Sequence, residues 1–519
     1  MLRYNFRRTQ RVCVQVNHRR AAGRPLALAA PSATFSSSSA ALIHPSTRSG
    51  TAAARPADKS TSSASSPTAN TTSSSSSSTS SSSSSTTATA SSASSPAASQ
   101  HSSQSLNAQS VASLIASLFP GGPTQTDAER ASVPNSKAFS DPLSIVAAEM
   151  TSLTTNIHLL LGSGQRSLDS AAKYYVQSQG KHIRPLLVLL MSRAALQAPK
   201  ADKFEPASEI DESISPLDIL RDFNPANIIS TIATSVREKV SSSAVEVVEE
   251  STGVLPSQRR LAEITEMIHA ASLLHDDVID DAETRRGVPS GNMKYGNKMS
   301  ILAGDFLLGR ACVSLARLRN AEVTELISTA IVNLVEGEVM QLKNTAPEDS
   351  ITGVATPATF KHYLDKTYLK TASLMSKSCR GAAVLAGVKG EFVDAAYEYG
   401  RNLGMAFQLI DDLLDYTVTA TELGKPAGAD LQLGLATAPA LFAWQKYPEL
   451  GPMIRRKFRQ PGDVETARRL VAESDGVEQT RILAETYSSN ARAYINKFPD
   501  SSAKEALIDM TQMVLNRKK

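Results

Sequence analysis

Apolar residues recur along most of the chain at the three- and four-residue spacing of an amphipathic α-helix. The pattern starts at Ser140-Asp141-Pro142, where a capping side chain precedes a proline at the first helical position, and Gly162 and Gly164 end that segment. No sustained alternation of apolar and polar residues indicates strands. The pattern therefore predicts an all-α fold, a single large helical bundle over residues 141–519. Its main helical stretches are predicted near 182–197, 257–281, 297–318, 322–344, 358–387, 390–417 and 431–446.

Residues 199–255 interrupt this pattern. The segment is polar and acidic with scattered apolar patches, and it lies between two strongly periodic stretches. Long connections without secondary structure of their own are uncommon inside compact domains. We therefore interpret residues 199–255 as an insertion into the bundle, with marginal helix of its own.

The N-terminal region differs in composition from the rest of the chain. Residues 1–57 contain nine arginines, no lysine and no acidic residue, and subtracting these nine charges from the formal net charge of +4 leaves −5 for the remainder. An Arg-rich and Ser-rich start without acidic residues is typical of an organelle transit peptide, here predicted to be mitochondrial. A basic arm that binds nucleic acid is the alternative, but the interspersed Leu, Val, Phe and Tyr favour a presequence.

Residues 58–140 are dominated by Ser, Thr and Ala. Such a segment buries too little apolar surface to offset the entropy lost on ordering. It is therefore predicted to be a disordered linker between the leader and the folded domain at 141–519.

Two acidic clusters lie inside strongly apolar helical stretches. The first aspartate cluster is Asp276-Asp277-Val278-Ile279-Asp280, and the second is Asp411-Asp412-Leu413-Leu414-Asp415. In each cluster the first and last carboxylates are one helical turn apart, so they project from one face and repel each other. A solvated acidic face is the alternative, but both clusters stand among Leu, Ile and Val rather than among Lys and Glu.

Half-buried carboxylates need a partner, and hard divalent cations supply one. Mg²⁺ usually keeps several waters and is bound by one or two carboxylates together with substrate phosphates. Two such clusters on facing helices therefore predict a site for Mg²⁺ and a diphosphate.

These segments resemble those of the trans-isoprenyl diphosphate synthases. Two DDxxD motifs on helices, the first followed by Thr284-Arg285-Arg286-Gly287, occur in that family, and Gly180-Lys181-His182-Ile183-Arg184-Pro185 is similar to its GKxxRP element. Further elements follow in the expected order: Lys370-Thr371, Phe407-Gln408 and the glycine-rich segment 424–430. The resemblance covers most of 170–440 and is to the long-chain mitochondrial members. It implies an all-α bundle around a deep central cavity.

The resemblance also implies a role for each of these residues. The catalytic carboxylates would be Asp276, Asp277, Asp280, Asp411, Asp412 and Asp415. Of these, the ligands of the Mg²⁺ ions that bridge an allylic diphosphate would be Asp276, Asp280, Asp411 and Asp415. The other groups around that diphosphate would be Arg285, Lys370, Thr371, Gln408 and Lys425. Isopentenyl diphosphate would be bound opposite by Lys181, Arg184, His269 and Arg286.

Product length is expected to depend on the residues beneath the first aspartate cluster. In this family the positions four and five residues before its first Asp lie about one turn down, where the growing chain passes. Here they are Ser272 and Ala271, which are both small. Neither side chain blocks the growing chain at that level, and we expect a long product of about six to ten units, with roughly one more isoprene unit admitted by each further turn of about 5.4 Å. Two small residues that only permit close helix packing are the alternative.

The predicted function is an all-trans polyprenyl diphosphate synthase that makes the side chain of ubiquinone in the mitochondrion, in the matrix or at the matrix face of the inner membrane. A short-chain farnesyl or geranylgeranyl diphosphate synthase is one alternative. A terpene cyclase would not need the second diphosphate site, and a non-catalytic partner subunit is expected to lack one or both clusters.

The predicted partners are the two diphosphate substrates and either a second copy of the chain or a related subunit. Peripheral association with a membrane is a further expectation, because the product is apolar. Nucleic acid is not an expected partner, since the remainder is slightly acidic and has no basic patch interleaved with aromatic residues.

Overall fold

The structure, a computed structural model of the protein, describes residues 141–177, 180, 182–202, 214, 253–343, 353–417 and 428–518. By its backbone contacts the chain divides into Met1–Ala98 and Ser99–Lys519, and every described residue belongs to the second unit. The predicted leader at 1–57, the predicted linker at 58–140 and most of the predicted insertion at 199–255 lie outside the described residues.

The described residues are almost entirely helical, with one short hairpin. The elements before the insertion are α1 (Pro142–Ile145), α2 (Ala147–Leu160), α3 (Arg166–Gln177) and α4 (Ile183–Ala194). Those that follow it are α5 (Pro256–Ile279), β1 (Thr284–Arg285), β2 (Val288–Pro289), α6 (Gly291–Tyr295), α7 (Asn297–Arg317) and α8 (Ala321–Lys343).

The C-terminal half begins with a helix that contains a π-helical turn between two α-helical parts. This helix comprises α9 (Pro357–Thr367), a π-helical turn (Tyr368–Ala372) and α10 (Ser373–Leu385). The remaining helices are α11 (Gly390–Thr417), α12 (Ala429–Gln432), α13 (Ala438–Lys446), α14 (Leu450–Arg455), α15 (Asp463–Glu473), α16 (Gly476–Ile495) and α17 (Ser502–Leu515).

The predicted helix boundaries are confirmed for most of the bundle. Asp141 caps α1, since its carboxylate accepts a hydrogen bond from the Leu143 backbone N–H at 3.1 Å. The single helix predicted over 431–446 is wrong, because the chain leaves the helical conformation between α12 and α13. Gly434 has a φ of +82° there, which is favourable only for glycine, and α13 then begins at Ala438 with Pro439 in its first turn.

Two long helices form the centre of the bundle. The 24-residue α5 packs mainly against α7 and α4, and the 28-residue α11 packs mainly against α16 and α10. The inner face of α5 carries Leu261, Ile264, Met267 and Ile268, all with no exposed surface. The inner face of α5 therefore lies in the apolar core, and α5 and α11 each end at one of the two aspartate clusters.

One pair of helices leaves an apolar face exposed. Among the described residues, α7 is the one helix long and apolar enough to cross a membrane by length and composition alone. Its neighbour α8 carries Val332, Val335, Val339 and Leu342, which are between 44% and 61% exposed. Their spacing of three and four residues places these four side chains in one row.

Candidate active site

Both aspartate clusters lie at the C-terminal ends of the central helices. Asp276 and Asp277 are in the last turn of α5 and Asp280 caps it, whereas the second cluster occupies the last two turns of α11. The C-terminal end of a helix carries partial negative charge, so carboxylates there are unfavourable unless a cation lies nearby. The helix backbone therefore adds to the repulsion among the carboxylates, and positive charge near either aspartate cluster would be stabilising.

The three carboxylates of the first cluster point in different directions. Asp277 has no exposed surface and accepts hydrogen bonds from the Tyr175 hydroxyl and from Arg285 Nε, the latter at 2.6 Å. Asp276 and Asp280 are half-buried instead. Burial raises the pKa of Asp276 to about 6, helped by the charges of Glu338 and Asp280. Asp277 thus anchors Arg285, while the other two carboxylates remain available to a cation.

The second cluster follows the same plan. Asp412 is buried and accepts hydrogen bonds from the Tyr363 hydroxyl at 2.5 Å and from Gln408 Nε2 at 2.8 Å. Burial raises the pKa of Asp412 to about 6. In each cluster the second aspartate is therefore turned inward onto a tyrosine hydroxyl.

The outer carboxylates of the second cluster have different partners. Asp411 pairs with Arg517 Nη2 at 2.8 Å, and the Arg517 guanidinium lies 4.0 Å from the centre of the Phe407 ring. Asp415 accepts hydrogen bonds from the backbone N–H groups of Ala429 and Asp430, both at 3.1 Å. The described end of the glycine-rich segment 424–430 thus folds back onto this cluster.

The π-helical turn connects the two clusters. Lys370 forms an ion pair with Glu338 of α8. The charge of Glu338 also acts on Asp276 and Asp280. The next residue, Thr371, donates to Gln408 Oε1 at 2.9 Å, and Gln408 in turn donates to Asp412. Lys370 is therefore linked to the first cluster through Glu338, and the next residue, Thr371, is linked to the second cluster through Gln408.

A second group of basic residues lies at the start of α4. Arg184 Nη1 and His269 Nε2 are 3.0 Å apart, and because a guanidinium can only donate, the His269 ring is neutral and accepts at Nε2. Burial, with Arg184 as the next cause, holds the pKa of His269 well below its usual value. A Cβ at Gly180 would lie 2.5 Å from Nη1 of Arg286, so the Arg286 guanidinium lies directly against the backbone at Gly180.

The hairpin between β1 and β2 separates the two neighbouring arginines. Arg286 and Gly287 have φ values of +55° and +77°, the pattern of a two-residue type I′ turn. Arg285 pairs with Asp277 on one side of this turn, while Arg286 reaches Gly180. The structure thus brings Arg184, His269 and Arg286 close enough together for both guanidinium charges to act on the imidazole. Lys181 and Lys425 lie outside the described residues.

Comparison with known proteins decides the family. Residues 226–471 match the polyprenyl synthetase family. A Neurospora crassa protein, a probable mitochondrial hexaprenyl pyrophosphate synthase, is 59% identical over 384 residues, which cover 73% of this chain and 82% of that protein. The chain belongs to the polyprenyl synthetase family.

Other members of the polyprenyl synthetase family agree. The mitochondrial hexaprenyl pyrophosphate synthase of Saccharomyces cerevisiae is 44% identical over 443 residues, covering 73% of this chain and 91% of that protein. A crystal structure of a Caulobacter crescentus polyprenyl synthase, complexed with calcium and isoprenyl diphosphate, matches with a TM-score of 0.58 and 27% identity over 75% of this chain and 100% of that one. The predicted family, its long-chain type and the all-α fold class are confirmed.

Several residues at the synthetase site were missed by sequence reasoning. Tyr175 and Tyr363 hold the inner aspartates, and Lys366 lies close enough to Asp412 and Asp430 for their charges to act on its ammonium group. None of these three carries a sequence signal, because their partners are distant along the chain. Glu338 was missed for the same reason, since its contact with Lys370 is a property of the folded chain.

The positions expected to set product length are on α5. Ala271 is fully buried, and half-buried Ser272 donates its hydroxyl to the His269 carbonyl at 2.9 Å. One turn further down, Ile268 has no exposed surface. Small residues thus stand directly beneath the first cluster, with larger apolar ones below them.

The remaining carboxylates suit a hard cation. Asp276 and Asp280 on α5, and Asp411 and Asp415 on α11, offer oxygen ligands in half-buried or buried positions, where an ionised carboxylate is stabilised by cations and hydrogen-bond donors. Within the described part of the chain, no three Asp, Glu, His or Cys side chains converge as a metal cage. Mg²⁺ typically completes its shell with water and substrate phosphates.

Proposed function

We propose that this polyprenyl synthetase adds isopentenyl diphosphate units head to tail to an allylic diphosphate, building the long all-trans prenyl chain of ubiquinone. The observation that carries the proposal is the pair of aspartate clusters at the ends of α5 and α11, with basic residues gathered beside them. The relatives named above as hexaprenyl synthases support a long product. We place the product at about six to ten isoprene units, because Ala271 and Ser272 beneath the first cluster are small and each further helical turn would admit roughly one more unit.

Mg²⁺ is the proposed cofactor. It would be held by Asp276 and Asp280 on α5 and by Asp411 and Asp415 on α11, the carboxylates that fit a hard cation. When bound, it supplies positive charge that stabilises the leaving diphosphate as the allylic C–O bond breaks.

Two separate groups of residues would bind the two substrates. Lys370 and Arg285, each already held by a carboxylate, would bind the allylic diphosphate, with Thr371, Gln408 and Lys425 beside them. Arg184, His269, Arg286 and Lys181 would bind isopentenyl diphosphate. The apolar inner face of α5 would keep water away from the allylic cation until the double bond of isopentenyl diphosphate attacks it. The proton lost afterwards would pass to the released diphosphate.

The proposed activity is tested by incorporation of radiolabelled isopentenyl diphosphate by the full-length chain, with farnesyl diphosphate as primer. We expect extractable labelled product with Mg²⁺ and, because the carboxylates then lack their cation, at least about a thousandfold less after treatment with EDTA. Restoring Mg²⁺ should restore the rate. Incorporation that is equally fast with and without divalent metal would overturn the assignment of the aspartates.

A second copy of the chain is the proposed partner, docked on the exposed apolar row of α8 beside α7. Closed dimers are the commonest oligomers, and such a row is unusual on a surface that faces water. A related subunit is the alternative, because a Schizosaccharomyces pombe relative, 46% identical over 376 residues, is named decaprenyl-diphosphate synthase subunit 1. The proposed location is the mitochondrial matrix or the matrix face of the inner membrane, and peripheral membrane association remains a prediction.

The double variant Val335→Glu/Val339→Glu is expected to convert the dimer into a monomer, since four buried carboxylates would then face one another across a two-fold axis. Light scattering coupled to size-exclusion chromatography measures the mass directly. Met513→Glu is the control, because Met513 on α17 is a comparably exposed apolar residue. A wild-type chain that is already monomeric, or a double variant that stays dimeric, would exclude this face.

A further inference from the structure

The π-helical turn is held between two glycines of the neighbouring helices. A Cβ at Gly337 of α8 would lie 2.8 Å from the Lys370 backbone nitrogen, and one at Gly404 of α11 would lie 2.7 Å from the Ala372 Cα. Real side chains do not approach backbone so closely, so both helices reach the turn only because these two positions lack a Cβ. Single π-helical turns are rare and occur frequently at functional sites.

This close approach places Lys370 against Glu338, the residue after Gly337. Glu338 is only 8% exposed, and within the described part of the chain neither of its oxygens accepts a well-formed hydrogen bond. Its one polar contact there is the ion pair with the Lys370 ammonium. The charges of Glu338 and Lys370 both act on Asp276 and Asp280, so a third acidic group, from a third helix, lies near the first aspartate cluster.

A buried carboxylate with a single contact is costly to the fold, because it loses its hydration without a full set of donors. A purely structural role would be filled as well by an apolar residue of similar size. A functional role would explain this cost to stability, if the contact fixes the Lys370 ammonium group where it binds a ligand. An ammonium has three N–H donors, so one contact with Glu338 leaves two that can face an anion.

We propose that Glu338 is a positioning residue for the allylic diphosphate. It holds the Lys370 ammonium at the edge of the first aspartate cluster before substrate arrives. The two other N–H groups can then bind the diphosphate oxygens without first losing the conformational freedom of the long lysine side chain. Charged groups fixed in advance stabilise the leaving group more than groups that must reorganise during the reaction. The inference rests on the proposed prenyl transfer and adds a residue to it.

The test compares Glu338→Gln, Lys370→Met and the double variant, each as the full-length chain. Glu338→Gln keeps the size of the side chain and removes its charge, and we expect kcat to fall by about ten- to a hundredfold, as for a misplaced catalytic group. In the Lys370→Met background the same substitution should change kcat by less than about twofold, since the group that it positions is already gone. Glu338→Asp, which keeps the charge on a shorter side chain, should lose less than Glu338→Gln.

Calorimetric binding of farnesyl thiodiphosphate, an unreactive allylic analogue, gives a readout independent of turnover. Glu338→Gln and Lys370→Met should weaken it, and the double variant should be no weaker than Lys370→Met alone. Glu336→Gln, an exposed glutamate on the same helix, is the matched control and should behave as wild type.

Two different failures can be told apart in this experiment. If the wild-type chain forms no prenyl product with any primer, the proposed function itself fails. If the wild-type chain is active but Glu338→Gln matches it, or if the effects of the two single variants multiply in the double variant, Glu338 does not act through Lys370 and the inference is wrong.

Discussion

Asp276→Asn is expected to abolish prenyl transfer and, at the same time, to stabilise the metal-free protein. The substitution keeps the size of the side chain but removes one of the charges proposed to hold Mg²⁺ on α5. Losing one preorganised electrostatic partner of a developing charge typically lowers kcat by about a hundred- to a thousandfold. Loss of a ligand is expected to be at the upper end of that range, so labelled product should fall at least about a thousandfold.

The gain in stability follows from the pKa of the same carboxyl group. Burial raises the pKa of Asp276 to about 6, above the value of about 3.9 in an unfolded chain. The folded state therefore binds the proton more tightly, and the stability that protonation contributes is lost as the pH rises from about 4 through about 6. At pH 7.5 the asparagine variant avoids that loss, and its free energy of unfolding should be higher by roughly 1–3 kcal/mol.

Urea unfolding in EDTA measures this difference. The wild-type chain should also gain stability from Asp276 and Asp412 between pH 7.5 and pH 5, and the asparagine variant should gain less. Asp365→Asn is the control, because Asp365 forms an exposed pair with Lys361 that is worth less than about 1 kcal/mol. An active Asp276→Asn enzyme, or one destabilised in EDTA, would contradict the assignment.

Ser272→Phe is expected to shorten the product. Position 272 is one helical turn before Asp276 on α5 and is half-buried, so a phenyl ring there would close the path of the chain about 5.4 Å below the diphosphate. The product should fall to about three or four isoprene units, at one unit per turn. Ser272→Ala, which keeps the position small, should leave product length unchanged.

Mass spectrometry of the extracted products distinguishes the outcomes. A uniform shift to short products at a similar rate of isopentenyl diphosphate consumption would confirm that the chain grows past Ser272. An unchanged long product from a folded Ser272→Phe enzyme would show that the chain takes another path and that Ala271 and Ser272 only permit close helix packing.

The helices that could be predicted are those determined by local pattern. The apolar period of α5, α7, α8 and α11 is long and regular, and tertiary contacts reinforce rather than override it. The break between α12 and α13 depends on the left-handed backbone conformation of Gly434. A single glycine inside a helical pattern does not by itself indicate such a break. The π-helical turn was hidden inside the stretch predicted over 358–387, since it depends on Gly337 and Gly404 from other helices.

The candidate site could be predicted only as far as its residues are adjacent in sequence. Both aspartate clusters are local patterns, but the turning of their inner members onto tyrosines is not. Asp277 meets Tyr175 across 102 positions, and Asp412 meets Tyr363 across 49. No spacing rule relates such pairs, so the turning of the second aspartate of each cluster onto a tyrosine hydroxyl emerges only from packing.

The length of the product made by the wild-type chain tests the proposed function most directly. The full-length protein would receive farnesyl diphosphate, excess isopentenyl diphosphate and Mg²⁺, and the extracted prenyl alcohols would be sized by mass spectrometry. A discrete product of about six to ten isoprene units, absent with Asp276→Asn, is expected from small residues beneath the first cluster. Farnesyl or geranylgeranyl products would contradict the long-chain assignment, and no product from a folded, dimeric chain would contradict the proposal that it acts without a second kind of subunit.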